Sequence, residues 1–161
     1  MAKPARNSDP NSILSSSRTF FVTSKTISGR ALLQTERNAM LLIDVMRSYV
    51  AAGHFKIHDF VIMPNHAHLL MTVSGKMSIE KAIGMIKGSF SYRLKKEHGY
   101  VGEVWQRGFS EVRADDRRNF LAHRDYIEQN PVKAGFVSKP ENFPYCSAFL
   151  RQQKAAAAKA G

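Results

Sequence analysis

Two histidines one residue apart, His66 and His68, sit inside an apolar run that reads IMPNHAHLLMTV. If that run is a strand, side chains two apart leave the same face, so both imidazoles point one way while Ala67, Leu69, Met71 and Val73 point the other. Two imidazoles so placed can share one metal ion. Alone the pair is a weak signal, because histidines also sit half-buried in strands without ligating anything. Further along, Tyr126 precedes Asn130 by four residues, one turn of a helix. Phe120 and Ile127 mark the buried side of that helix, and Tyr126 lies about 100° away from Ile127. A tyrosine off the apolar face, one turn before an amide that can coordinate through oxygen, suits a nucleophile beside a metal ligand. A surface tyrosine near a helix end fits the same pattern. The chemistry therefore depends on whether strand and helix meet.

The elements that must bring them together can be read from periodicity. Arg18 to Thr26 is aromatic and β-branched, a strand that opens the fold. Thr35 to Ala52 repeats apolar residues at helical spacing, with Gly53 just past its end. Phe55 to Met63 and His66 to Val73 form an antiparallel hairpin across Pro64-Asn65. Ser78 can cap a second helix running to about His98, whose stripe of Ile79, Ile83, Ile86, Phe90 and Leu94 faces the core. Its opposite side carries Lys81, Gly84, Gly88, Ser91 and Lys95, where either a phosphate backbone or a second helix could approach. A loop from Trp105 to Phe109 leads into a short strand. A third helix starts at Asp115 or Asp116 and is expected to stop at Asn130, before Pro131. This order predicts an α+β, two-layer fold of ferredoxin-like type with an antiparallel sheet.

The partner is suggested by charge. Lys and Arg number 24 against 13 Asp and Glu, a net charge of +11 in 161 residues, which points first to nucleic acid. The candidates for phosphate contacts are Lys81, Lys87, Lys95, Arg107, Arg113, Arg117 and Arg118. Trp105 could stack on a base, though a packed tryptophan is the simpler reading. The single Cys146 excludes an intramolecular disulfide framework and any multi-cysteine zinc site, and fits a cytoplasmic setting. Residues 1–17 contain no apolar run and are expected to be a disordered tail, neither signal peptide nor membrane anchor. The basic stretch 151–161 is expected as a flexible tail, leaving one domain over 18–150.

Three stretches, PNHAHLL from Pro64, WQRGF from Trp105 and YIEQNPVKAGFV from Tyr126, stand in an order and spacing that closely resemble the REP-associated tyrosine transposases. These are relatives of the small bacterial single-tyrosine insertion-sequence transposases. The resemblance implies an HUH endonuclease type of sheet, with the histidine pair facing a helix that bears the nucleophile. It makes His66 and His68 ligands of a divalent metal, Mg²⁺ or Mn²⁺, Asn130 the third ligand and Tyr126 the nucleophile. By ligand type alone, two imidazoles and an amide oxygen suit Mn²⁺ better than Mg²⁺. The implied activity is nicking and rejoining of single-stranded or hairpin DNA near repeats. It would pass through a 5′-phosphotyrosine link and a free 3′-hydroxyl, and covalent catalysis of this kind needs no nucleotide cofactor. Monomer and homodimer both occur among such relatives, and a monomer is expected here.

Two rivals follow from the same residues. One is a repeat-binding protein derived from a transposase and without chemistry. The other is a metal hydrolase that uses water, which would want further His or carboxylate ligands.

Overall fold

The computed structural model describes residues 16–160. The expected N-terminal tail lies outside them except for Ser16 and Ser17, the latter opening the first strand. The elements run β1 (Ser17–Lys25), α1 (Glu36–Ala51), β2 (Lys56–Met63), β3 (His66–Ser74), α2 (Ile79–His98), β4 (Ser110–Arg113), α3 (Arg117–Lys133) and α4 (Ser147–Ala160), with 3-10 turns at Ile27–Gly29 and Pro140–Asn142. All strand pairs are antiparallel and the sheet order is β2-β3-β1-β4. That is the βαββαβ arrangement of ferredoxin-like folds.

The helices begin where side chains can satisfy their free backbone donors. Asn38 N donates to Thr35 Oγ1 at 3.2 Å, Lys81 N to Ser78 Oγ at 3.0 Å and Asn119 N to Asp116 Oδ1 at 2.9 Å. Gly99 closes α2 in a left-handed conformation, φ 69°, which glycine adopts without steric cost. Pro131 does not stop α3, which continues to Lys133. It falls in the last turn, where its missing N–H forfeits a single bond, and it is buried. The basic segment expected as a tail is helical through residue 160, consistent with its run of alanines, the strongest helix formers.

The two faces of the sheet are covered differently. On one, Val22, Ala67, Leu69, Met71 and Val73 pack with Leu42, Val45 and Met46 of α1 and Ile83, Ile86, Phe90 and Leu94 of α2. On the other, Val61, Met63 and Leu70 meet Ile127 of α3, Phe143 and Cys146. The outer face of α2 is open. A Cβ added at Gly84 or Gly88 would meet nothing within 4 Å, so no part of the described chain uses those glycines for close packing.

Candidate active site

Strand β3 places His66 and His68 on the face that α3 covers, since the intervening Ala67 points into the α1 and α2 core. The imidazole centroids lie 4.8 Å apart. Tyr126 comes down from α3 with its ring edge-on to His68, centroids 5.4 Å apart, while the residue itself remains 46% exposed. Strand and helix therefore meet, as the chemistry requires. Asn130 follows one turn later on the same helix and is half-buried.

Each imidazole is held through Nδ1. His66 Nδ1 lies 2.8 Å from Asn65 Oδ1, and His68 Nδ1 lies 2.8 Å from Thr23 Oγ1. An Nδ1 occupied in this way leaves Nε2 as the ring atom able to ligate a metal, the usual division of labour in metal-bound histidine. Burial pushes the His68 imidazole down to about 4, with His66 and then Lys25 adding in the same direction. The His66 imidazole is also lowered, first by burial and then by Lys25. Both rings are accordingly neutral near pH 7, the form a metal needs. Among the described residues no group of three His, Cys, Asp or Glu is placed to hold a metal.

Sequence reasoning missed four kinds of residue. Phe21 of β1 lies at the centre of the ring cluster, stacked on His68 at 5.3 Å and on His123 at 4.5 Å, and edge-on to Tyr126 at 5.8 Å. His123 precedes Tyr126 by three residues and shares its side of the helix, a spacing that could have flagged it. Lys25 pairs directly with His66 across β1 and β3, which makes it the basic residue in register with the histidine pair.

The fourth is a buried carboxylate that fixes α3. Between Ile57 and Asp59 the β2-β3 register slips at a bulge, and consecutive His58 and Asp59 both reach the α3 side. His58 Nε2 bonds Thr72 Oγ1 at 2.7 Å and its ring meets Phe120 of α3. The Asp59 side chain, 0% exposed, accepts Arg124 Nε at 2.7 Å, Arg151 Nη1 at 2.9 Å and Ser147 Oγ at 3.0 Å. Arg151 also reaches Glu128 Oε2 at 3.0 Å. One carboxylate thus ties the tyrosine helix, the sheet and α4 together, and Arg124 lies two residues before Tyr126.

The residues expected to meet phosphate are scattered. Lys81 and Lys95 are exposed on α2, across the sheet from the histidines. Lys87 is engaged internally: its Nζ donates to Gln106 O at 3.1 Å and Gly108 O at 2.8 Å, and burial lowers its pKa. Trp105 is half-buried against the core, with Nε1 donating to Lys87 O at 3.1 Å and its ring beside Phe90. Arg107 is exposed in the following loop. Arg113 lies over Phe20 on the β4 edge and pairs with Asp115. Arg117 and Arg118 are exposed in the first turn of α3.

No helix among the described residues is long and apolar enough to cross a membrane. Comparison with known proteins points to one family and fold. A Haemophilus influenzae protein classed with the REP-associated tyrosine transposases is 35% identical over 111 residues, which span 63% of this chain and 62% of that protein. An Escherichia coli REP-associated tyrosine transposase is 28% identical over 131 residues, covering 79% of this chain and 74% of its own length. Among solved structures, a REP-associated tyrosine transposase bound to a REP hairpin superposes with a TM-score of 0.64 at 27% identity, covering 81% of this chain and 76% of that one. The family described as "Transposase IS200 like" matches residues 21–130, well over half of the 161, and the chain belongs to that family.

Proposed function

We propose that the protein nicks and rejoins single-stranded DNA beside hairpin repeats, using Tyr126 as nucleophile and a divalent cation held by His66, His68 and Asn130. The observation that carries this reading is the pair of neutral imidazoles, tethered at Nδ1, with the Tyr126 ring edge-on to His68. The solved relative bound to a REP hairpin supports hairpin DNA as the substrate class.

The Tyr126 oxygen attacks the scissile phosphorus, forming a tyrosyl–phosphate bond as the bond to the 3′-oxygen breaks. The phenol proton is given up, and the departing 3′-oxygen takes one to become a free hydroxyl. A later 3′-hydroxyl attacks the phosphotyrosine and restores Tyr126. A bound Mg²⁺ or Mn²⁺ supplies a Lewis acid that polarises the phosphate and offsets charge on the leaving oxygen. Lys25, beside His66, can hold a neighbouring phosphate oxygen. Phe21 packs against both His68 and Tyr126, so it fixes nucleophile and ligand relative to each other, and the Asp59 clamp holds their helix against the sheet.

The test is incubation with labelled hairpin DNA carrying a single-stranded flank, with Mg²⁺ or Mn²⁺, followed by a denaturing gel. A covalent adduct that requires the cation and is lost in Tyr126→Phe is the expected result. Cleavage that survives Tyr126→Phe would mean water is the nucleophile. Tight binding with no adduct on any hairpin would leave a repeat-binding protein.

A further inference from the structure

Where α3 ends, the chain and the hairpin turn enclose a cavity of about 210 Å³. Pro64, two residues before His66, forms one wall, and Phe136, six residues after Asn130, forms another. Both walls thus flank the elements that carry the site, Pro64 in the turn before β3 and Phe136 in the segment that follows α3. The chain leaves α3 through Gly135 in a left-handed turn, φ 82°, and Phe136 N donates to Pro131 O at 3.0 Å. That turn leaves Phe136 51% exposed, its ring stacked on Phe143 with centroids 6.0 Å apart and planes within 15°. Leu33, Ile62 and Phe143 add apolar lining, and Gln34 and Tyr145 are the two lining residues that carry polar side-chain groups. Lys133, the exposed last residue of α3, adds positive charge three residues before Phe136.

The volume lies below the roughly 300–1,000 Å³ of sites that hold drug-sized molecules, and suits a single ring system. Apolar and aromatic walls with two polar side chains among them match a flat ring whose edge carries donors and acceptors. The net charge of +11 favours a ligand that arrives on a polyanion. We propose that this cavity receives one unpaired nucleobase of the DNA strand whose phosphate meets Tyr126. This rests on the strand-transfer reading for the identity of the strand, and it adds where sequence next to the cut is read. Stacking on Phe136 contributes affinity without preference, because every base has a π face. The Gln34 carboxamide and Tyr145 hydroxyl choose among base edges.

The probe is a hairpin oligonucleotide with a single-stranded flank, selected from a randomised flank pool for tightest binding to the Tyr126→Phe chain, which cannot form the adduct. Each flank base is then replaced in turn by an abasic site. Phe136→Ala is expected to weaken binding about tenfold, and Phe136→Trp to retain it. At one flank position the abasic change should cost the same factor and add nothing to Phe136→Ala, since both remove one stacking contact. Gln34→Ala should alter the preferred base at that position alone. A change of less than about twofold in Phe136→Ala, or losses that multiply at every flank position, would overturn the proposal. Adduct formation by the unmodified chain is scored separately. An adduct without this coupling removes the base site and leaves strand transfer, whereas coupling without an adduct does the reverse.

Discussion

The two faces of the sheet use opposite kinds of interaction. Beneath α1 and α2 the contacts are aliphatic and aromatic: Leu69, Met71 and Val73 against Leu42, Ile83 and Phe90, all essentially without exposure. Beneath α3 the same strands present His66, His68, Thr72 and Thr23, and the helix is held by the Asp59 carboxylate as well as by Ile127. Close-packed apolar contact is forgiving in direction and strong in sum, whereas ion pairs and hydrogen bonds are weaker net but fix orientation. The first face supplies stability. The second uses part of that stability to keep two imidazoles desolvated and a tyrosine exposed beside them.

If that division is right, substitutions should separate cleanly. Phe90→Ala, at a site with 0% exposure, is expected to lower unfolding free energy by about 3–5 kcal/mol in urea titration. Surviving folded protein should still form the DNA adduct. Tyr126→Phe should do the opposite, abolishing the adduct with an unchanged melting temperature. Equal losses of stability in both variants would erase the distinction.

Acid should act on the histidine face. In the metal-free protein the His68 imidazole is held at about 4, below its ordinary 6.5, so the unfolded chain takes up its proton first. Its share of stability is complete above pH 6.5, falls as pH drops from there towards 4, and is constant below. The loss is on the order of 3 kcal/mol, and His66 and His58, both lowered by burial, act in the same direction. Urea midpoints measured from pH 7.5 to 4 test this, and His68→Gln should flatten the slope. A cation should work in reverse. At about 100 times its dissociation constant, Mn²⁺ is expected to stabilise the folded chain by about 2.7 kcal/mol at pH 7, and His68→Ala should abolish the shift. The smallest expected effect is at the clamp. Arg124→Ala should cost about 1–2 kcal/mol, reduced because the arginine is 39% exposed, yet slow adduct formation with little change in DNA binding. Unaltered rates would make the clamp purely structural.

What could be read from the sequence was what is local or periodic. The strands, the Pro64-Asn65 hairpin, the cap at Ser78, a helix start at Asp115 or Asp116 and the shared face of His66 and His68 each depend on neighbours within a few residues. Ile127 was recognisable as the buried side of its helix and Tyr126 as off it for the same reason. Asp59 was not legible: in sequence it is one carboxylate in an apolar strand, and its partners Arg124 and Arg151 lie 65 and 92 residues away. Alternation with Val61 and Met63 sets the face it points to, but nothing local names partners so distant. Phe21 and Lys25 were hidden because strand register, not strand identity, brings them to the histidines. A different gap arose at Lys87, whose charge suggested phosphate and whose Nζ bonds two carbonyls of the 106–108 loop, partners that charge alone does not announce.

The bond between His68 Nδ1 and Thr23 bears on how copies of such a gene decay. A chain with valine at position 23 would keep the fold, every histidine, the tyrosine and the asparagine, yet its buried imidazole could present the wrong nitrogen. On the proposed function, a census that counts intact His66, His68, Tyr126 and Asn130 would record that copy as live. The expectation is that it would hold a hairpin and leave it uncut, so the tally of working copies in a genome has to be taken one strand away from the letters that name the family.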